Sequence, residues 1–171
     1  MKLLVRRLWF KGSLDETLSA LFKIPQLQGQ FDKGYEYDGE MRPRGIKISP
    51  RYWPADPILK LLPESEEDVY LVLTSMDLKG NFSRIHGKGY DRKALASNNG
   101  FVNGHDEFNP RDIHFNAMIF HEIGHALGLS HHDPKSSNPC EMSSNNFPQP
   151  NWKRLEEIRF CDDCYKKKFS H

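Results

Sequence analysis

The sequence predicts an α+β fold whose N-terminal part is α/β-like, on three observations. Strand-forming runs at residues 3–10 and 69–74 alternate with helical patterns, as expected for a mixed sheet with helices packed on it. A long helical pattern follows at residues 110–127 and ends on a glycine. Beyond it come short polar pieces rich in Ser, Asn and Pro, and all three cysteines of the chain fall there. The 171 residues suffice for one domain with a real core and not for two. A single domain, 1–171, is therefore expected. Residues 1–128 would form an N-terminal subdomain holding the long helix, and residues 129–171 a small C-terminal subdomain.

Residues 3–10 open the sheet as its first strand. Ser13-Leu14-Asp15-Glu16 is a capping box, in which Ser13 caps a helix and Glu16 reaches back. Leu14, Leu18, Leu21 and Phe22 then recur at helical spacing. Pro25 ends that helix, because the residue before a proline avoids helical geometry. Residues 26–44 are polar and broken by Gly29, Gly34, Gly39 and Pro43, and are expected as loop with short extended pieces. Ile46-Lys47-Ile48 reads as a short strand. Asp56-Pro57 opens a brief helix with Ile58, Leu61 and Leu62 on one side and Pro63 as its stop. The apolar run 69–74 reads as a strand buried on both faces. Residues 82–86 read as another strand, Gly87 and Gly89 as a turn, and residues 94–102 as the returning strand. Asn109 as N-cap, Pro110 at the first helical position and Asp112 in the first turn start the long helix. Ile113, Met118, Ile123 and Ala126 mark its buried flank, and residues 152–160 are expected as a last helix with Leu155 and Ile158 inward.

The long helix bears the chemistry. His121-Glu122-Ile123-Gly124-His125-Ala126-Leu127-Gly128-Leu129-Ser130-His131 contains H-E-x-x-H-x-x-G-x-x-H. His121 and His125, four apart, lie one turn apart on one helix face, where two imidazoles can share a tetrahedral Zn²⁺. Glu122 stands beside them as a base for the water to be activated. A straight helix cannot supply the third ligand, but Gly128 can end it in the left-handed conformation and let His131 return. Three protein ligands leave the fourth position open, as catalytic zinc requires.

Composition excludes other classes. With 24 basic and 23 acidic residues the net charge is +1, which gives no footprint for nucleic acid. The run Lys166-Lys167-Lys168 reads as a solvated tail. No apolar run approaches the roughly 20 residues of a membrane span, and Arg6 and Arg7 interrupt the apolar N-terminus as a signal peptide would not. A cytoplasmic monomer is expected. His86, His105 and His114 have no partner at ligand spacing and are expected as surface or hydrogen-bonded histidines. Cys140, Cys161 and Cys164 are an odd set with one C-x-x-C, which suits metal binding or redox chemistry in a reducing compartment.

His121, Glu122, His125, Gly128 and His131, with Met142 eleven residues further on, resemble the extended motif of the metzincin zinc peptidases. The cysteines make the chain similar to the archaemetzincins, through Cys140-Glu141-Met142 and Cys161-Asp162-Asp163-Cys164. The resemblance implies a metzincin-type twisted mixed sheet with an active-site helix. It also implies a turn in which Met142 lies beneath the zinc histidines, and a second, structural zinc on the cysteines. Two departures stand out. His132 follows the third histidine where the family has cysteine, and the segment 133–139 is longer than usual. In the family's pattern His132 sits at the fourth ligand position, giving a Cys₃His set with Cys140, Cys161 and Cys164. Asp162, Asp163, His171 or water are the alternatives. Ser144 stands where the astacin branch has a tyrosine near the metal, so the oxyanion stabiliser is unassigned.

These residues predict a zinc peptidase with two Zn²⁺ per chain. Glu122 would be the general base and acid, and a peptide or protein the substrate. The strand at residues 94–102 would form the cleft edge that pairs with an extended peptide. A non-catalytic, zinc-stabilised peptide- or protein-binding module is the alternative, and Glu122, useless to a structural zinc, weighs against it. A zinc hydrolase for other substrates is the third reading, since motif and fold do not fix the substrate.

Overall fold

The computed structural model describes residues 1–46, 52–80, 83–99, 101, 108–132, 139–143 and 151–169. Lys47 and Ile48 of the expected short strand, His105, Ser144, His171 and the segment 133–138 lie outside them. The main sheet is built from β1 (Leu3–Leu8), β2 (Tyr35–Glu40), β4 (Val69–Thr74), β7 (Gly87–Tyr90) and β8 (Lys93–Ser97), in the order β2-β1-β4-β8-β7. All neighbours are parallel except β7, which runs antiparallel to β8 on the edge. A small sheet of β3 (Trp53–Pro54), β5 (Leu78–Lys79) and β6 (Arg84–Ile85) stands beside it. The mixed α/β architecture agrees with the expected fold class.

The helices are α1 (Leu14–Leu21), α2 (Pro25–Gln30), α3 (Ala55–Lys60), α4 (Ile113–Ala126) and α5 (Asp162–Phe169), with one 3₁₀ turn at Leu155–Glu157. Helices α1, α2 and α4 and the C-terminal segment share one core with the near face of the sheet, through Leu3, Val5, Leu71, Leu73, Ala94 and Ala96. Leu8, Val72 and Leu95 point the other way, into a smaller core with Trp53, Ile58 and Leu59. Alternate residues of β4 thus enter two cores, and its burial on both faces follows.

Several local expectations change. Ser13 caps α1 by accepting the Glu16 N–H at 3.2 Å. Pro25, however, does more than end a helix: it is the first residue of α2, where its missing N–H costs nothing. Residues 35–40, within the stretch expected as loop with short extended pieces, form the exposed edge strand β2, paired along β1. In α3 the inward residues are Ala55, Ile58 and Leu59, while Leu61 is exposed. Helix α4 starts three residues after Pro110, with Asp112 as its cap accepting the Phe115 N–H at 2.8 Å. It is buried on most sides, whereas Ile113 and Met118 are only partly covered. The expected helix at 152–160 reduces to the 3₁₀ turn, although Leu155 and Ile158 do point inward. Gln26 holds this segment from α2, donating to the Phe160 carbonyl at 3.1 Å and accepting its N–H at 2.7 Å.

Gly87 and Gly89 do not turn the chain; they lie within β7, and Asp91-Arg92, both at positive φ, make the two-residue hairpin to β8. Across the sheet, side chains under α4 shrink towards the edge: Leu71 to Ala94 to Gly89 in one row, Leu73 to Ala96 to Gly87 in the next. The helix therefore lies almost on the backbone of β7. A Cβ on Gly89 would come within 2.0 Å of the Glu122 carbonyl oxygen, and one on Gly87 within 2.6 Å of Glu122 Cγ. The β7–β8 turn is tied to the helix end by the Arg92 N–H on the Ala126 carbonyl, 2.8 Å.

Candidate metal centres

Gly128 adopts φ 84° and ends α4 one residue after its C-cap Leu127. The chain then reverses, with the Leu129 N–H on the Gly124 carbonyl at 2.9 Å, and brings His131 back over the helix. The Nε2 atoms of His121, His125 and His131 form a triangle with sides of 3.0, 3.1 and 3.1 Å. His121 Nδ1 faces the Glu141 carbonyl at 2.8 Å and His125 Nδ1 the Leu129 carbonyl at 2.9 Å. A carbonyl only accepts, so both Nδ1 atoms donate and both Nε2 atoms turn bare lone pairs inward. Converging lone pairs repel unless a cation lies among them. Tetrahedral zinc at 2.0–2.1 Å from each nitrogen would set them about 3.3 Å apart, close to the spacing found. Burial pushes the His121 pKa down to about 4, the Glu141 carbonyl opposing, and lowers that of His125 too. Both rings are thus neutral at pH 7, as ligands must be.

Glu122 is buried between α4 and β7, its carboxylate against Gly87. Burial raises its pKa to about 8, with the positive charge of Lys88 acting against it. His131 is exposed and lines a cavity of about 450 Å³ with Ser130, His132 and Asp163, so the centre opens to solvent on that side. Met142 lies under the helix: a Cβ on Gly124, between the two helical histidines, would come within 2.7 Å of its Sδ.

The second cluster gathers His132, Cys140, Cys161 and Cys164, whose ligand atoms all lie within 4.8 Å of one another. His132 Nε2 is 3.3 Å from Cys140 Sγ and 3.4 Å from Cys161 Sγ, and Cys140 Sγ is 3.8 Å from Cys164 Sγ. Sulfurs around tetrahedral zinc at 2.3 Å would stand about 3.8 Å apart, whereas a disulfide needs about 2.05 Å. The hydrogen bond from Cys164 leads the effects that pull the Cys140 pKa down to about 5, burial opposing; the Cys161 N–H on Cys140 Sγ, 3.1 Å, acts with it. Burial raises the Cys161 thiol, and Cys164 is raised chiefly by its bond to Cys140. The residues fit one zinc. His86 and His114 are exposed and belong to neither cluster; His86 Nδ1 bonds the Asn99 carbonyl.

Three features of the site were not anticipated. Gly87 and Gly89 bring the sheet edge to Glu122, and β7, not the strand at 94–102, is that edge: β8 lies inside, between β4 and β7. The third is Glu141, whose carbonyl orients His121 and whose buried carboxylate accepts the Trp152 indole N–H at 2.6 Å. Burial lifts the pKa of that carboxylate to about 7, the indole N–H opposing. Among the described residues no helix is long and apolar enough to cross a membrane.

No family model matches the chain, and no curated protein does. Solved structures do. An archaemetzincin from Archaeoglobus fulgidus, complexed with malonate, superposes with a TM-score of 0.64 at 23% identity over 98% of this chain and 99% of that one. An archaemetzincin from Methanopyrus kandleri gives 0.65 at 20% identity over 98% and 92%. A zinc-dependent peptidase from Methanocorpusculum labreanum gives 0.61 at 17% over 94% and 97%. At such identities the likeness is one of fold, and it extends over nearly the whole of each chain. With its mostly parallel sheet, antiparallel edge strand and long helix under that edge, the chain has the archaemetzincin fold.

Proposed function

We propose that the chain is a zinc peptidase of metzincin type, with His121, His125 and His131 holding the catalytic zinc and Glu122 as general base and acid. The observation behind this reading is the triangle of Nε2 lone pairs, with Glu122 buried beside it against the edge strand. Zinc bound there supplies a Lewis acid for the scissile carbonyl and lowers the pKa of a water towards neutrality. Glu122 takes the proton of the attacking water and passes it to the leaving amine. Edge strand β7 offers main-chain groups to an extended peptide, which fixes the scissile bond over the metal. Met142 forms the floor beneath the histidines and stays off the metal. His132 completes a Cys₃His set that holds a second, structural zinc. The odd set of three cysteines with one C-x-x-C fits a reducing compartment, the cytoplasm.

The test is cleavage profiling on a mixed peptide library, with metal analysis of the same preparation. Two zinc ions per chain and hydrolysis are expected. Glu122→Ala should keep both ions and lose about 10²–10⁴ in rate. A wild-type chain that binds zinc but cleaves nothing would favour the binding-module reading, and equal cleavage by wild type and Glu122→Ala would remove Glu122 as the base.

A further inference from the structure

The residue between Cys140 and Met142 touches more of the machinery than its position suggests. Cys140 to Ser143 form a β-turn closed by the Ser143 N–H on the Cys140 carbonyl at 3.1 Å. The Ser143 hydroxyl reinforces it at 2.6 Å. Glu141 and Met142 are its two central residues. The peptide between two such residues can face either way, but facing the second way needs positive φ at the later one. Met142 does not have it. The Glu141 carbonyl is thereby aimed outward, and at 2.8 Å it meets His121 Nδ1. The residue is anchored at its other ends as well. The residue is 8% exposed; its N–H donates to the Arg159 carbonyl at 3.0 Å, and its carboxylate accepts the Trp152 indole N–H at 2.6 Å. A buried carboxylate is costly unless something recovers the loss. Here its position keeps the turn, and so the carbonyl, from rotating about the chain.

We propose that Glu141 is a positioning residue for the tri-histidine centre: Trp152 holds its carboxylate, and its carbonyl fixes the tautomer and angle of His121. This rests on the reading of that centre as a zinc site. A hydrogen bond from the far nitrogen of a ligating histidine sets which nitrogen faces the metal, and its loss typically weakens binding about 10–100-fold. Because Cys140 belongs to the other cluster and is the neighbour of Glu141, one turn connects the two centres. Damage to the side-chain anchor should nevertheless fall on the histidines, since the Cys140 sulfur keeps its own bonds to Cys161, Cys164 and His132.

The experiment is a Co²⁺ titration of the metal-free, full-length chain, because the two sites absorb differently. Cobalt on thiolates gives an intense near-ultraviolet charge-transfer band, whereas cobalt on three imidazoles shows only weak visible bands. Wild type should fill both classes. Glu141→Ala, and the milder Trp152→Phe, should weaken the histidine class about 10–100-fold and leave the thiolate class unchanged. Glu141→Gln, which keeps an acceptor for the indole, should restore wild-type affinity. The proposal is overturned if Trp152→Phe and Glu141→Ala leave the histidine class intact, or if both classes weaken alike, as a general packing defect would make them. Absence of a histidine class in wild type would remove the zinc-peptidase reading itself and the proposal with it.

Discussion

Gly89→Ala adds one methyl group at the closest approach of strand and helix. Its Cβ would sit 2.0 Å from the Glu122 carbonyl oxygen, 2.9 Å from the carbonyl carbon and 3.1 Å from Ala126 N. Ordinary contact begins near 3.4 Å, so edge and helix must separate by about 1.4 Å. No side chain can yield, because all three atoms are backbone. Overpacking by one methylene costs about 1–3 kcal/mol, and a backbone clash belongs at the upper end. For a protein of this length each kcal/mol lowers Tm by about 2–4 °C, which gives a loss of roughly 6–12 °C. The same separation carries Glu122 and its neighbouring histidines away from β7, and a misplacement of 1 Å at a reacting group can cost about 10²-fold in rate. Differential scanning calorimetry of the zinc-loaded chain, together with kcat/KM on any peptide that wild type cleaves, measures both. A Gly89→Ala chain with wild-type Tm and wild-type kcat/KM would refute the account of glycine in this strand.

Gly87→Ala should divide the two losses differently: the atoms nearest its Cβ belong to the Glu122 side chain, 2.6 Å to Cγ and 2.8 Å to Oε1, and that side chain can rotate away. Activity should fall at least 10-fold while Tm changes by less than for Gly89→Ala, as the same two assays would show. His132→Ala should lower zinc content from two towards one per chain and reduce stability, while His132→Cys should retain both ions; metal analysis after dialysis decides, since a soft thiolate replaces imidazole well. The Glu122 pKa lies above its unfolded value, near 8 against 4.5, so its stabilising contribution in metal-free protein is full below pH 4.5 and lost as pH rises through 8. Urea melts of the metal-free chain at pH 5 and pH 8 should show wild type losing stability relative to Glu122→Gln. Gly29→Ala lies in α2 with nothing within 4 Å of the added Cβ, and should raise stability by about 0.4–1 kcal/mol in the same melts.

What the sequence revealed of the site was local. His121, His125, Gly128 and His131 are spaced by one helical turn and one glycine reversal, so eleven consecutive residues determine how three nitrogens meet. The C-x-x-C was equally readable. Features that depend on a distant partner were not. β2, Tyr35-Glu36-Tyr37-Asp38-Gly39-Glu40, is short, largely exposed and interrupted by a glycine; pairing with β1, and ion pairs such as Lys2–Glu36 and Arg6–Asp38, hold it as a strand. Gly87 and Gly89 look like turn residues until α4 lies against them. Residues 152–160 have helical spacing, but the Phe160 N–H goes to Gln26 and the Arg159 carbonyl to Glu141, so a helical ladder there is not built. Glu141 had no local signal, because its carbonyl is one that any residue possesses and its carboxylate meets Trp152 eleven positions further on.

The clasp between Gln26 and Phe160 closes over a separation of 134 positions. Phe160, held there, stacks on Phe120 with ring centroids 4.0 Å apart, directly before the first histidine of the motif. On the ribosome, therefore, the helix bearing the histidines emerges well before its cover. A nascent chain stopped short of residue 160 has the complete motif but neither the aromatic lid on Phe120 nor Cys161 and Cys164. A fragment ending before residue 160 would carry the three histidines on a helix whose Phe120 is left uncovered.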